Sequence, residues 1–289
     1  MRERPDFLRL VGGQAVSAIG DGVSRIAILW WARTATGSDA IVILVALATV
    51  LPTLAAAPLA GWLVDRFPRR RLMLIADAVR VGTSGGLALI MWAGHLNTPI
   101  VVVMAVAAAV AAAVFDPAML ASVTLLVPEE QRVQANSLLG GTVAIAGIAG
   151  PALGGLLVGV WGTGTALMID AATFAVSFGL VLLSRIPDPE HADAAEADDG
   201  GWAAGLHLLR DDRSVRDLVV VAAGLNLVVA PVGVLLVGLA AGPLSLGGRG
   251  FGLLEAALPL GIVGGFVMAA KVAGHRMATL VALITTGVA

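Results

Sequence analysis

Cysteine and tyrosine are absent from this chain of 289 residues, aromatic residues make up only 4% of it, and histidine occurs four times. Without cysteine there is no disulfide framework, no thiolate metal site and no thiol nucleophile. His95, His191, His207 and His275 lie too far apart to suggest a ligand cluster, so no metal and no other cofactor is expected. Charge is scarce as well: Asp, Glu, Lys and Arg together account for 13%, where soluble domains carry about 25%. With a net charge of -2 and basic residues scattered among loops, no basic face is available for nucleic acid. The sequence contains no H-E-x-x-H and no G-x-x-x-x-G-K-[ST]. An enzyme is therefore not expected, and ATP is not expected to drive any transport.

Apolar residues fill the space that these absences leave. Hydrophobic types make up 58% of the chain, the mean hydropathy is +0.93, and several apolar runs exceed the ~20 residues that cross a ~30 Å hydrocarbon layer. A water-soluble globule is excluded. The chain reads as an all-α, polytopic membrane helix bundle with the lipid bilayer as its first partner. Spans are expected near residues 10–32, 40–64, 72–94, 99–126, 137–161, 163–184, 218–240 and 250–272. A ninth run begins at Met277 and reaches Ala289, short of the ~20 residues a crossing needs. The charged start, Met1 to Asp6, runs into the first span without a small-residue cleavage site and reads as a mature N-terminus.

Arginine sets the expected orientation, because basic loops stay on the cytoplasmic side. Arg2, Arg4, Arg9, Arg66, Arg69, Arg70, Arg71, Arg132, Arg185, Arg210, Arg213, Arg216, Lys271 and Arg276 fall in alternate loops or at their edges. The opposite loops carry only Arg33 and Arg249. The N-terminus is thus expected in the cytoplasm of a multi-pass protein of the cell membrane. Trp30, Trp31, Trp62, Trp92 and Trp161 lie at the span ends, where amphipathic rings settle among headgroups.

The polar, acidic stretch that begins at Ile186 divides the chain into residues 1–185, a bundle of six helices, a cytoplasmic linker at 186–214, and an incomplete second bundle at 215–289. Within the linker, Trp202, Leu206 and Leu209 recur at helical spacing, which fits either an interfacial helix or the first turns of the seventh span. Sliding the second set back by 207 positions lays Leu258-Pro259 over Leu51-Pro52 and Arg276 over Arg69, as for parallel repeats.

The loop Gly61-Trp-Leu-Val-Asp65-Arg66-Phe-Pro-Arg69-Arg70-Arg71 resembles the segment between the second and third helices of the major facilitator superfamily, G-x-L-x-D-R-x-G-R-[RK], with Pro68 in place of its second glycine. The resemblance implies that Asp65 faces a helix N-terminus while Arg66, Arg69 and Arg70 bridge neighbouring helix ends as a gating latch. Gly150-Pro151-Ala-Leu-Gly154-Gly155 is similar to the G-P-x-x-G-G core found in exporters and antiporters of that superfamily. The family's upstream glycines fall on Ser137 and Ala146. Close helix packing alone would also use such small residues, and Pro151 is expected to kink the helix.

Ionisable residues inside spans are functional candidates by default. Asp21 lies about eleven residues into the first span, ~16 Å deep at 1.5 Å per residue, and Arg25 follows at i, i+4 on the same face. The pair reads either as a proton-coupling site or as a static ion pair. Asp77 and Arg80 repeat the arrangement at i, i+3, and structural pairing is at least as good a reading there. Asp116 and Asp170 lie in segments that, like Gly20-Asp21-Gly22, resemble the drug, macrolide and siderophore exporters of the superfamily. The fourth span contains no arginine, although many proton antiporters carry one there. Glu255 reads as a cation or proton site of the second half or as an interfacial residue. The leading expectation is a secondary transporter that exports lipophilic or amphipathic small molecules by alternating access, coupled to protons. The alternative is a non-transporting remnant or fragment that needs its missing helices or a partner.

Overall fold

A computed structural model describes residues 5–187, 210–229 and 231–272. The expected interfacial helix at Trp202 to Leu209, most of the linker and the ninth apolar run from Met277 lie outside these residues. Among the described residues the chain forms α1 (Pro5–Thr36), α2 (Asp39–Arg66), α3 (Arg69–Trp92), α4 (Thr98–Leu126), α5 (132–161), α6 (163–183), α7 (Arg213–Val229), α8 (Val232–Ala241) and α9 (Gly247–Val272), with no strand.

Local chemistry sets the helix ends. Asn97 caps α4 by accepting a hydrogen bond from the Ile100 amide at 3.1 Å, and Pro99 stands in the first turn, where a missing N–H costs nothing. Between α5 and α6 the chain reverses at one residue, Gly162, with φ 82° and ψ 168°, a backbone region that glycine alone enters readily. Helix is described over most of the expected seventh span, 218–240. The described helices there are α7, which is described to Val229, and α8, which starts at Val232 with the helical Pro231 as its N-cap.

Among the described residues, four stretches are long and apolar enough to cross a membrane: Asp39–Arg66, Arg69–Trp92, Thr98–Leu126 and Glu129–Leu183, the last holding both α5 and α6. The first helix is longer than α2, at 32 residues, but carries Gln14, Asp21 and Arg25 in its middle. Side chains that a soluble protein would bury face outward, Leu54 being 68% and Ile145 65% exposed, as expected where the surroundings are lipid.

The segment from α5 to α6 packs against α1 and α3, α2 packs on α4, and α9 packs on α5. Small residues make this possible. A Cβ at Gly150 would lie 2.9 Å from the Gly22 Cα, and one at Gly154 would lie 2.9 Å from the Val23 Cα. At Gly155 a Cβ would lie 2.6 Å from the Gly252 Cα. The G-P-x-x-G-G segment thus presents Gly150 and Gly154 to α1 and Gly155 to α9.

Candidate functional site

Asp21 and Arg80 form the centre of the polar interior. The short hydrogen-bond distances from Arg80 Nη2, 2.5 Å to each Asp21 oxygen, mark a close ion pair between α1 and α3. Its members differ in exposure: the Arg80 side chain is 6% exposed and that of Asp21 51%. Aromatic faces complete the arginine's surroundings, with its Cζ 3.9 Å from the Phe174 ring centroid and 5.9 Å from that of Phe115. Gly20 brings α1 close enough for this pairing, since a Cβ there would run into Thr173 and Asp170 on α6.

This arrangement corrects the expected intrahelical pairs. Asp21 bonds to Arg80 and not to Arg25, and Arg25 instead forms a 2.8 Å salt bridge with Glu255 of α9. Nor do Asp77 and Arg80 pair: the buried Asp77 accepts the Ser177 hydroxyl at 2.7 Å. Spacings of i, i+3 and i, i+4 put side chains on one face, but a bundle offers each charge a partner from the facing helix at shorter range. Glu255, which had no evident partner in the sequence, has Arg25.

Asp170 is fully buried and accepts the Ser84 hydroxyl at 2.6 Å. Together with Asp77 and Ser177 this makes a reciprocal clasp. Each of the antiparallel helices α3 and α6 carries Asp followed seven residues later by Ser, and each carboxylate meets the other helix's hydroxyl. Sequence reasoning missed Ser84, Ser177 and Phe174. The repeated Asp-x6-Ser spacing was the available signal, though only pairing of the two helices gives it meaning.

A cavity of about 560 Å³ opens between α1, α3, α4 and α5, with Asp21, Arg25, Arg80 and Asp116 on its walls among apolar residues such as Met119 and Val143. Asp116 is exposed and makes no ion pair among the described residues. A second cavity of about 350 Å³ lies between α1, α2, α8 and α9, and it contains Glu255. Arg25 lines both.

At the loop between α2 and α3, arginines satisfy carbonyls at other helix ends. Arg69 donates to the Ala121 carbonyl at 2.7 Å, and Arg70 donates to those of Leu182 at 2.6 Å and Val181 at 3.4 Å. Positive charge at these C-terminal turns complements the helix dipoles. Arg66 stacks on Trp62 with its Cζ 4.8 Å from the ring centroid. Asp65 is exposed without an ion pair among the described residues, and a Cβ at Gly61 would meet nothing within 4 Å.

A membrane-spanning helical bundle with paired charges in its interior and a cavity beside them has the architecture of a membrane transporter. The chain belongs to the Major Facilitator Superfamily, whose family description matches residues 10–289. It is 34% identical over 223 residues to a multidrug efflux pump Tap of Mycobacterium tuberculosis (strain H37Rv), a match covering 74% of this chain and 53% of that protein. To macrolide efflux protein A of Streptococcus pyogenes it is 27% identical over 233 residues, covering 79% of this chain and 57% of that one. The chain spans about half the length of these relatives. In fold it is similar to a bacterial homolog of the human lysosomal transporter Spinster, solved in an inward-facing and unoccupied conformation. The TM-score is 0.69 at 16% identity, covering 96% of this chain and 64% of that one.

Proposed function

We propose that the protein exports lipophilic or amphipathic small molecules by alternating access, driven by proton entry. The ion pair between Asp21 and Arg80 on the wall of the 560 Å³ cavity carries this reading. Asp21 is the half-exposed member, so it meets solvent or cargo while the buried, aromatic-packed Arg80 stays in place. Protonation of Asp21 weakens the tie between α1 and α3, and deprotonation restores it. Export as the direction of transport is supported by the efflux relatives and by the likeness of Gly150-Pro151-Ala-Leu-Gly154-Gly155 to the G-P-x-x-G-G core of exporters.

The six helices α1–α6 act as one half, and α7–α9 belong to the second. Asp77 and Asp170 hold α3 against α6, while Asp116, free on the cavity wall, is the further proton candidate. Arg69 and Arg70 tie the α2–α3 loop to α4 and α6, with Gly61, Asp65 and Arg66 completing the gating segment. The arginine-rich loops and the N-terminus face the cytoplasm, in keeping with the positive-inside distribution. No P-loop occurs in the sequence, which favours an ion gradient over ATP as the energy source.

Proton-driven efflux from proteoliposomes tests the reading. Asp21→Asn is expected to abolish gradient-driven efflux while leaving the protein inserted. Full pH-driven efflux by that variant would remove Asp21 from the mechanism.

A further inference from the structure

Glu255 has no task in the proton cycle, yet its setting is specialised. It is 5% exposed and holds Arg25 through Oε2 at 2.8 Å, while Oε1 is buried with no hydrogen-bond partner among the described residues. Bare backbone faces that oxygen: a Cβ at Gly233 would lie 2.6 Å from it. The cavity of about 350 Å³ beside this carboxylate is lined otherwise by Val, Leu, Ile, Ala, Gly and Pro, with Thr49 and Arg25 as its other polar side chains. Its volume falls in the range of small-molecule sites.

The two members of the pair are unequally held. Glu255 is enclosed, whereas the Arg25 side chain is 47% exposed and reaches both cavities. Asp21 lies one helical turn away on the same face of α1, so the guanidinium has a second carboxylate within reach. If Arg25 moves toward it, Glu255 must either take up a proton or gain another positive charge, because a buried, unpaired carboxylate is strongly disfavoured, and a cation in the adjoining cavity meets that need. A metal ion fits poorly, since such ions take several oxygen ligands and no group of three or more His, Cys, Asp or Glu occurs among the described residues. An organic cation with a hydrocarbon body satisfies both the carboxylate and the apolar walls.

We infer that the 350 Å³ cavity is a binding site for a lipophilic organic cation, with Glu255 as its counter-charge and Arg25 as the internal cation that the ligand displaces. This site rests on the export reading only in naming a class of cargo. Its specificity is for the sign of charge: an anion of the same shape meets Glu255 and gains nothing from the walls that the cation does not also gain.

The test is direct binding to the purified full chain in lipid nanodiscs, using tetraphenylphosphonium and tetraphenylborate, which match in shape and differ in sign. The cation is expected to bind at least roughly tenfold more tightly than the anion, and Glu255→Gln to weaken cation binding by about tenfold or more, erasing the preference. Glu255→Asp should keep the preference, and Arg25→Gln should tighten cation binding because the internal competitor is gone. Equal affinity for the two ions in the unaltered chain would overturn the site, as would unchanged cation affinity in a folded Glu255→Gln variant. Should that variant fail to fold, unchanged or weaker cation binding by Arg25→Gln would do the same. Cation-selective binding without drug efflux from cells would count against the export reading and leave the site standing. Efflux of neutral drugs with no cation preference in binding would sink the site and leave export.

Discussion

Arg80 shows what burial demands of a single residue. Its guanidinium is shielded by Phe174 and Phe115 and has Asp21 as its carboxylate partner. Replacing it with Gln leaves Asp21 without its counter-charge. Breaking a fully buried pair costs about 3–5 kcal/mol, and the half-exposed Asp21 places this one toward the low end. The expected result is a lower melting temperature in detergent together with lost efflux. Arg80→Lys restores the charge but not the flat face against Phe174, so it should recover only part of the stability. Full recovery would show that the stacking contributes nothing. The serines act more weakly. Ser84→Ala and Ser177→Ala each remove one interhelical hydrogen bond, worth about 0.6 kcal/mol on average in membranes. The exchange Asp77→Ser with Ser177→Asp, which reverses one arm of the clasp, should recover most of what Ser177→Ala loses. Thermal melts of the three variants check this, and an exchange variant no better than Ser177→Ala would count against the clasp.

At the level of elements, glycine governs how the helices meet. Gly155 and Gly252 bring α5 and α9 into backbone contact, and the Pro151 carbonyl approaches Gly252 as well. A larger residue at Gly252 has no flexible neighbour to displace, only the backbone of α5. Gly252→Val is therefore expected to push α9 away, at a cost of about 1–3 kcal/mol or more for overpacking. Because the chain lacks cysteine, spin labels on a single introduced pair, one on each helix, can read that separation. An unchanged distance would mean that the seam relaxes elsewhere. Capping acts independently of this seam: Asn97→Ala removes the acceptor at the start of α4 and should cost ~1 kcal/mol, with little effect on the α5–α9 distance.

For the whole molecule, the distribution of arginine is the argument for orientation. The exposed His95 lies between α3 and α4, and the exposed Glu130 between α4 and α5, on opposite sides of the bundle if α4 spans the membrane. A membrane-impermeant maleimide is expected to label a His95→Cys variant in intact cells and a Glu130→Cys variant only after permeabilisation. The reverse pattern would invert the proposed topology.

Composition alone was enough for the all-helical membrane class, because the bilayer leaves helices and closed barrels as the only spanning structures and the long apolar runs select helices. The first six spans were legible to within several residues, since hydropathy is summed along one segment. Partners were not legible. The sequence placed Asp21 with Arg25 and Asp77 with Arg80, as helical spacing within one helix suggests, whereas packing gave Asp21 to Arg80, Arg25 to Glu255 and Asp77 to Ser177. Those contacts join residues far apart in the chain. Which charge meets which therefore depends on how the helices dock, and docking follows from small residues such as Gly20, Gly150 and Gly155 whose importance no single helix reveals.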